Sequence, residues 1–243
     1  VATNLPEIAI TFSAASNGEM ELAVGNLLGG IAIQTVVLVA LDAAGGKGPS
    51  LTSRASSLEL VLEGILVVAV LAVAVMGAQM PAGDGAVSVV VAPALIFVIW
   101  AAGVWLMMKA RHGLPWQAIE QAGGGSGQAA SATPSGADSA RPGLWRAVGT
   151  FSIAGLATLL AGVVLERTGT AIADRVGLSG VIFGATVLAA ATSLPELSTG
   201  IASIRMKDYR LAISDIFGGN AFLPVLLLPA ALISGQAGLP LAG

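Results

Sequence analysis

Long apolar blocks are the feature that most limits what this chain can fold into. Residues 60–76, 87–108 and 148–165 are almost entirely apolar, and 22–41 and 211–233 are apolar with a few polar residues inside. A helix needs about 17–25 such residues to cross about 30 Å of hydrocarbon. The mean hydropathy is +0.87 and only 10% of residues are charged. The pattern therefore predicts an all-α polytopic membrane protein with lipid as its main surroundings.

Charge and cysteine content exclude several other classes of protein. The net charge of −3 is small and scattered along the chain, which argues against a nucleic-acid partner. The chain has no cysteine, so disulfides and thiolate metal sites are excluded.

A low-complexity stretch divides the chain into two membrane halves. Residues 123–134 read GGGSGQAASATP and have no apolar face to bury, which predicts a flexible linker over 109–146. The first membrane half then covers 1–108 and the second covers 147–243. Because the chain opens inside what should be a hydrophobic segment, we expect sequence missing before its first residue, and a truncation at the C-terminal end as well.

Basic residues predict the orientation in the membrane, because loops on the cytoplasmic side hold an excess of Lys and Arg. If the linker is cytoplasmic and each apolar block crosses the membrane once, nine basic residues lie on the cytoplasmic side. Two, Arg167 and Arg175, lie on the outer side. The inside set is Lys47, Arg54, Lys109, Arg111, Arg141, Arg146, Arg205, Lys207 and Arg210. This predicts a cytoplasmic linker in a plasma (inner) membrane protein. Segments 5–16 and 181–203 then cross in opposite directions.

Those two oppositely directed segments carry the same motif. Residues 2–7 read ATNLPE and residues 191–196 read ATSLPE, an offset of 189 residues. At the same offset, residues 22–30 read LAVGNLLGG and residues 211–219 read LAISDIFGG. Inverted-topology repeats with interrupted helices are typical of secondary transporters that bind their substrate near the bilayer midplane.

Each motif places a proline directly before a glutamate. Pro6 and Pro195 should break their helices and free carbonyls of the preceding turn, because proline lacks a backbone donor and clashes with the carbonyl four residues back. Glu7 and Glu196 follow at membrane depth, where a carboxylate is costly unless it is protonated or paired with a cation. The motif therefore predicts that the two glutamates form a cation site.

Further oxygen-bearing side chains accompany the two carboxylates. They are Thr3, Asn4, Thr192 and Ser193 in the motifs, with Asn26 and Asp215 on the companion helices. Carboxylate, carbonyl and hydroxyl oxygens suit hard cations such as Ca²⁺ or Na⁺. For Asn26 and Asp215, hydrogen bonding to neighbouring helices is as good an interpretation as ion binding. The glycine pairs Gly29, Gly30, Gly218 and Gly219 predict close helix packing.

The two motifs, each followed by a helix with a glycine pair, resemble the two repeats of the sodium/calcium exchanger family. The resemblance covers about residues 1–41 and 178–228. It implies ten helices in two inverted halves of five, of which this chain lacks the first, part of the second and the last two. It also implies antiport of Ca²⁺ against Na⁺ or H⁺ by alternating access. It implies that Glu7 and Glu196 are the ion-binding acids. Thr3, Asn4, Thr192 and Ser193 match its hydroxyl- or amide-bearing positions.

The chain departs from the family pattern in the companion helices. The family usually has Gly-Ser-Asn-x-x-Asn, where this chain has Gly30 and Gly219 in place of serine, and Gln34 and Leu223 in place of the last polar residue. Gln34 still offers an oxygen, whereas the side chain of Leu223 does not.

Other functions remain open at this point. The exchanged ion can be another cation, such as K⁺, Mg²⁺ or Mn²⁺. A cation channel is a second class, although no re-entrant filter segment is visible. An intramembrane enzyme is a third, although no nucleophile pattern accompanies the carboxylates, and we expect neither catalytic activity nor a cofactor.

Three acids outside the motifs are predicted to be structural. Glu59 and Glu63 read as charges at a helix start, where the helix dipole favours them. Glu166 follows an apolar run and reads as a residue of the outer interface.

Overall fold

The computed structural model describes residues 3–45, 48–79, 86–110 and 141–235, and these residues are helical with no strand. Most of the predicted linker and the basic residues Lys47 and Arg111 lie outside them. Six described segments are long and apolar enough to span a membrane. They are Met20–Ala44, Leu58–Ala78, Val90–Lys109, Val148–Val176, Gly180–Arg205 and Tyr209–Ser234. The all-α polytopic fold is therefore confirmed.

Short breaks divide several of these segments into separate helices. The first half contains α1 (Leu5–Asn17), α2 (Met20–Ala44), α3 (Leu51–Arg54), α4 (Leu58–Ala78) and α5 (Ala86–Ala110). The second half contains α6 (Arg141–Val176), α7 (Gly180–Phe183), α8 (Ala189–Thr192), α9 (Leu194–Arg205), α10 (Tyr209–Phe222) and α11 (Leu227–Ser234). A π-helical turn, Gly184–Leu188, joins α7 to α8, and a 3₁₀ turn, Leu223–Leu226, joins α10 to α11.

The helix starts follow from local chemistry. Ser57 caps α4 by accepting from the backbone N–H of Leu60, and Asp208 caps α10 in the same way. Such caps satisfy backbone donors that have no partner inside the helix. Pro195 lies in the first turn of α9, directly after the break at Ser193. Since proline cannot donate to the carbonyl of Ala191, the α8–α9 segment is interrupted where the sequence predicts. Pro6 likewise lies in the first turn of α1.

The sequence repeat is also a structural repeat. Helices α1 and α9 begin at Leu5 and Leu194, and α2 and α10 begin at Met20 and Tyr209. Both pairs of helix starts keep the offset of 189 residues found in the sequence.

Contacts between helices show that the repeats have opposite directions. Along α2, Gly25 approaches Val181 and Leu41 approaches Gly200, so α2 runs parallel to the Gly180–Arg205 span. The two-residue turn at 18–19 reverses the chain between α1 and α2, which pack against each other. Helix α1 is therefore antiparallel to α9, as an inverted repeat requires.

The repeat helices form the centre of the molecule. The apolar spans of α2 and of α10–α11 are the most buried, whereas the α6 span is the least buried. Large apolar side chains such as Val68, Ile153 and Leu160 are exposed on the outer faces. Lipid is the environment that suits these exposed faces.

Candidate functional site

The two motif glutamates lie at the centre of the fold. Glu7 and Glu196 occupy the first turns of α1 and α9, and their exposed fractions are 0% and 1%. They are close enough to repel each other electrostatically. None of their four carboxylate oxygens accepts a hydrogen bond of normal geometry. Two buried, unpaired carboxylates are costly in a low-dielectric interior, so the arrangement favours a bound cation or a proton.

The helix directions bring positive ends of helix dipoles and hydroxyl groups to the same place. Because both glutamates lie in first turns, the N-termini of two antiparallel helices meet at the site. The hydroxyl of Thr192 lies near Glu7, and that of Thr3 lies near Glu196. Neither completes a hydrogen bond of normal geometry to the carboxylate. Each motif thus places its threonine beside the glutamate of the other motif.

The motif hydroxyls direct their protons away from the carboxylates. Ser193 Oγ donates to the carbonyl of Ala189 at 2.8 Å, and Thr192 Oγ1 donates to the same carbonyl at 3.3 Å. Thr3 Oγ1 donates to Asn4 Oδ1 at 3.0 Å. A hydroxyl whose proton is used in this way keeps lone pairs as acceptors. Those oxygens are available to a hard cation.

The companion helices present matched faces to this centre. Helix α2 carries Asn26, Gly30 and Gln34 at intervals of one turn. At the same intervals and the same offset, α10 carries Asp215 and Gly219, and Leu223 follows as the first residue of the 3₁₀ turn. Residues four apart lie on one helix face. Each face therefore offers one polar residue, one glycine and one longer side chain.

The two faces contact each other reciprocally around the glycines. A Cβ added at Gly219 would lie 3.2 Å from Asn4 Nδ2 and 3.6 Å from Gln34 Oε1. A Cβ added at Gly30 would lie 3.8 Å from Leu223 Cδ1. Gln34 and Leu223 thus occupy equivalent places, with a buried amide on one side and a fully buried apolar side chain on the other. The amide atoms of Gln34 have no hydrogen-bond partner.

Asp215 and Asn26 differ in their surroundings. Asp215 accepts from Thr199 Oγ1 at 2.9 Å, which links α10 to α9, and its other oxygen lies 3.5 Å from Thr3 Oγ1 of the first motif. Asn26 is fully buried, and neither of its amide atoms has a hydrogen-bond partner. Such an amide is a candidate ligand or water-binding group, because buried polar atoms are normally paired.

The glycine pairs do not all pack in the same way. A Cβ at Gly29 would overlap the backbone of Ala185, so α2 and the π-helical turn lie in direct backbone contact. At Gly218 an added Cβ would meet no heavy atom within 4 Å. The expectation of close packing is therefore wrong for Gly218, because α10 faces open space there.

Sequence reasoning missed two buried polar residues close to the motifs. Thr11 lies one turn after Glu7 on α1, and Asn220 directly follows the second glycine pair. Both are buried, and Thr11 Oγ1 and Asn220 Oδ1 have no hydrogen-bond partner. Thr11 can be found from the sequence, because it follows Glu7 by four residues and therefore lies on the same helix face.

Two acids predicted to be helix-start or interface charges are buried between helices instead. Glu63 is 8% exposed and accepts from Ser214 Oγ of α10 at 2.9 Å. Glu166 is 1% exposed and accepts from Ser13 Oγ at 2.7 Å and Asn17 Nδ2 at 3.2 Å of α1. Both face a helix that also carries motif residues. Glu59, in contrast, lies in the first turn of α4 as predicted and pairs with Arg210 at 2.8 Å.

The carboxylates alone do not form a metal cluster. No group of three or more Asp, Glu or His side chains is placed to hold a metal ion among residues 3–45, 48–79, 86–110 and 141–235. Coordination of Ca²⁺ by six to eight oxygens would therefore need the neutral hydroxyl, amide and carbonyl oxygens around Glu7 and Glu196.

Known proteins resemble the chain over most of its length. A family model described as sodium/calcium exchanger protein matches residues 1–109 and 146–241. Inner membrane protein YrbG of Escherichia coli (strain K12) is 29% identical over 97% of this chain and 68% of its own length. Putative antiporter CaxA of Alkalimonas amylolytica is 37% identical over 32% of this chain and 24% of its own length. No solved structure matches the chain.

Proposed function

This chain belongs to the sodium/calcium exchanger family, and from that premise we propose that it is a secondary active antiporter that exchanges Ca²⁺ for Na⁺ or H⁺. The observation that supports the proposal best is the pair of buried carboxylates, Glu7 and Glu196, which interact with each other and accept no hydrogen bonds of normal geometry. A cation between them would compensate both charges at once. The relative CaxA is a putative antiporter, which supports the same class of transport.

The same pair of carboxylates provides a reason for coupled exchange. Two buried carboxylates without hydrogen-bond partners are costly to keep charged and empty in a low-dielectric interior. Release of one cation is therefore favourable only when another cation or protons replace it. Antiparallel repeats around one site allow the site to open to each side in turn. Ions that compete for Glu7 and Glu196 in this way are exchanged rather than conducted.

Neutral oxygens would complete the coordination. The hydroxyls of Thr3, Thr192 and Ser193 keep lone pairs available, and Asn4 and Gln34 lie together at Gly219. Leu223 occupies the position equivalent to Gln34, and its side chain has no oxygen. We therefore propose that the ligand set is asymmetric, with more oxygens on the α2 side than on the α10 side.

The membrane location follows from the fold and from the basic residues. Arg54 lies over the ring of Tyr209 at 5.1 Å, and Arg210 pairs with Glu59, so the ends of α3, α4 and α10 meet at one end of the fold, and two of them carry an arginine. We propose that this end and the linker face the cytoplasm, in a plasma (inner) membrane. The relative YrbG is described as an inner membrane protein, which supports this location.

Uptake of radiolabelled Ca²⁺ into proteoliposomes tests the proposed function. We expect uptake that depends on an outward gradient of Na⁺ or of H⁺ and that saturates with Ca²⁺ concentration. Uptake without any dependence on a counter-ion would contradict antiport and favour a channel. Uptake that fails under both gradients, with folded protein, would contradict Ca²⁺ as substrate and direct the same assay to K⁺, Mg²⁺ and Mn²⁺.

A further inference from the structure

A cavity of about 220 Å³ lies between α4, α5 and α10. Its polar lining comes from Glu63, Ser214 and Asp215, and its apolar lining includes Trp100 and Met107. A water molecule takes about 30 Å³ of liquid volume, so the cavity has room for about half a dozen. That is enough for a cation with part of its hydration shell.

The glycine pair of α10 lines this cavity and also approaches residues around the ion site. Gly218 and Gly219 both line the cavity. An added Cβ at Gly218 would meet no heavy atom within 4 Å, whereas one at Gly219 would meet Asn4 and Gln34. The glycine pair thus has the cavity on one side and the side-chain amides of Asn4 and Gln34 on the other. Glycine at both positions keeps the barrier between them thin.

Asp215 connects the two regions chemically. Its side chain lines the cavity, one of its oxygens accepts from Thr199, and the other lies 3.5 Å from the hydroxyl of Thr3 in the first motif. A cation in the cavity would therefore meet a carboxylate that is already in contact with the ion site. Carboxylates at membrane depth are costly, and a water-filled, cation-attracting passage is a setting that stabilises them.

A second cavity extends the first one toward the helix ends. It has a volume of about 330 Å³ and is lined by Glu59, Leu60, Asp208, Arg210, Leu211 and Ser214. Ser214 lines both cavities, and it donates to Glu63 at 2.9 Å. Acidic residues thus continue from the N-terminal ends of α4 and α10 to Asp215. Asp and Glu side chains that line a pore favour the entry of cations.

We propose that these two cavities form the access route by which a hydrated cation reaches Glu7 and Glu196 from the end of the fold that holds Glu59 and Arg210. Asp215 is the last carboxylate that the cation meets before the glycine pair. This inference rests on the proposed antiport function. It adds a route between α4, α5 and α10 and assigns Ser214, Asp215 and Gly218 to its wall.

Thiol labelling tests the route directly, because the chain has no cysteine of its own. Met107 lines the cavity, whereas the adjacent Met108 is 55% exposed and does not line it. Met107→Cys and Met108→Cys therefore form a matched pair on one helix. Each variant is reconstituted and treated from one side with a membrane-impermeant, positively charged methanethiosulfonate reagent. Labelling is read by mass shift, and Ca²⁺ flux is measured before and after.

We expect labelling of Met107→Cys from the Arg210 side only, with a loss of flux of about tenfold or more, since a fixed positive charge in a low-dielectric passage repels cations. Met108→Cys should keep its flux after the same treatment. Val104→Cys, which lines the same cavity one turn deeper, replaces Met107→Cys if that variant does not fold.

The other outcomes separate the inference from the proposed function. Labelled Met107→Cys that keeps its full flux would overturn the route while antiport stands. Failure to label a folded Met107→Cys or Val104→Cys from either side would also overturn it, because the cavity would then be dry. Absence of counter-ion-dependent flux in the unmodified protein would refute the proposed function, and the route with it.

Discussion

Glu196→Gln is expected to abolish cation exchange and leave the protein folded. Glutamine keeps the size of the side chain and removes its charge. At an effective dielectric constant of about 20, two unit charges about 4 Å apart interact with about 4 kcal/mol. Each 1.4 kcal/mol corresponds to about tenfold in affinity, so we expect a loss of about 1000-fold in flux at limiting Ca²⁺. The measurement is counter-ion-driven Ca²⁺ uptake at matched protein density.

Glu166→Gln is the matched control for this change. Glu166 is as buried as Glu196, with 1% of each exposed, but its oxygens accept from Ser13 and Asn17 and it lies on α6. The same substitution there should keep most of the flux. If Glu196→Gln transported at a near-normal rate, Glu196 would not hold the ion. An equal loss of flux in both variants would show that the effect is common to buried carboxylates and is not specific to Glu196.

Gly29→Ala is expected to lower the stability of the protein markedly, although it adds a single methyl group. The added Cβ would overlap the backbone of Ala185, and backbone atoms cannot move aside without separating α2 from the π-helical turn. Overpacking of this kind costs about 1–3 kcal/mol. Thermal unfolding of purified protein in detergent measures the change, and we expect a clear fall in the melting temperature.

Gly218→Ala is the control, because Gly218 is the equivalent glycine of the other repeat. An added Cβ there meets no heavy atom within 4 Å, and alanine favours a helix over glycine by about 1 kcal/mol. Its melting temperature should stay the same or rise. Equal falls for both variants would contradict the difference in packing between the two repeats.

The sequence predicts the helical class and the repeat well, because both depend on local patterns. Apolar blocks long enough to span a membrane can be recognised directly, and the offset of 189 residues reappears in the starts of α1 and α9. The break before Pro195 follows from proline chemistry alone. The motif also predicts carboxylates at membrane depth, and Glu7 and Glu196 are both buried.

What the sequence does not predict depends on contacts between distant helices. Glu63 and Glu166 look like charges near helix ends, and only the packing of α4 on α10 and of α6 on α1 buries them. The same holds for Gly218, whose repeat partner Gly29 is tightly packed while Gly218 faces a cavity. A repeat in sequence predicts equivalent positions but not equivalent neighbours, because the surrounding helices differ between the two halves.

Crystals grown with Sr²⁺ in place of Ca²⁺ would test the central claim most directly, since Sr²⁺ can be located by its anomalous scattering. We expect an anomalous peak between the carboxylates of Glu7 and Glu196, within coordination distance of both. A peak confined to other residues, or carboxylates of Glu7 and Glu196 that point apart toward lipid, would contradict it.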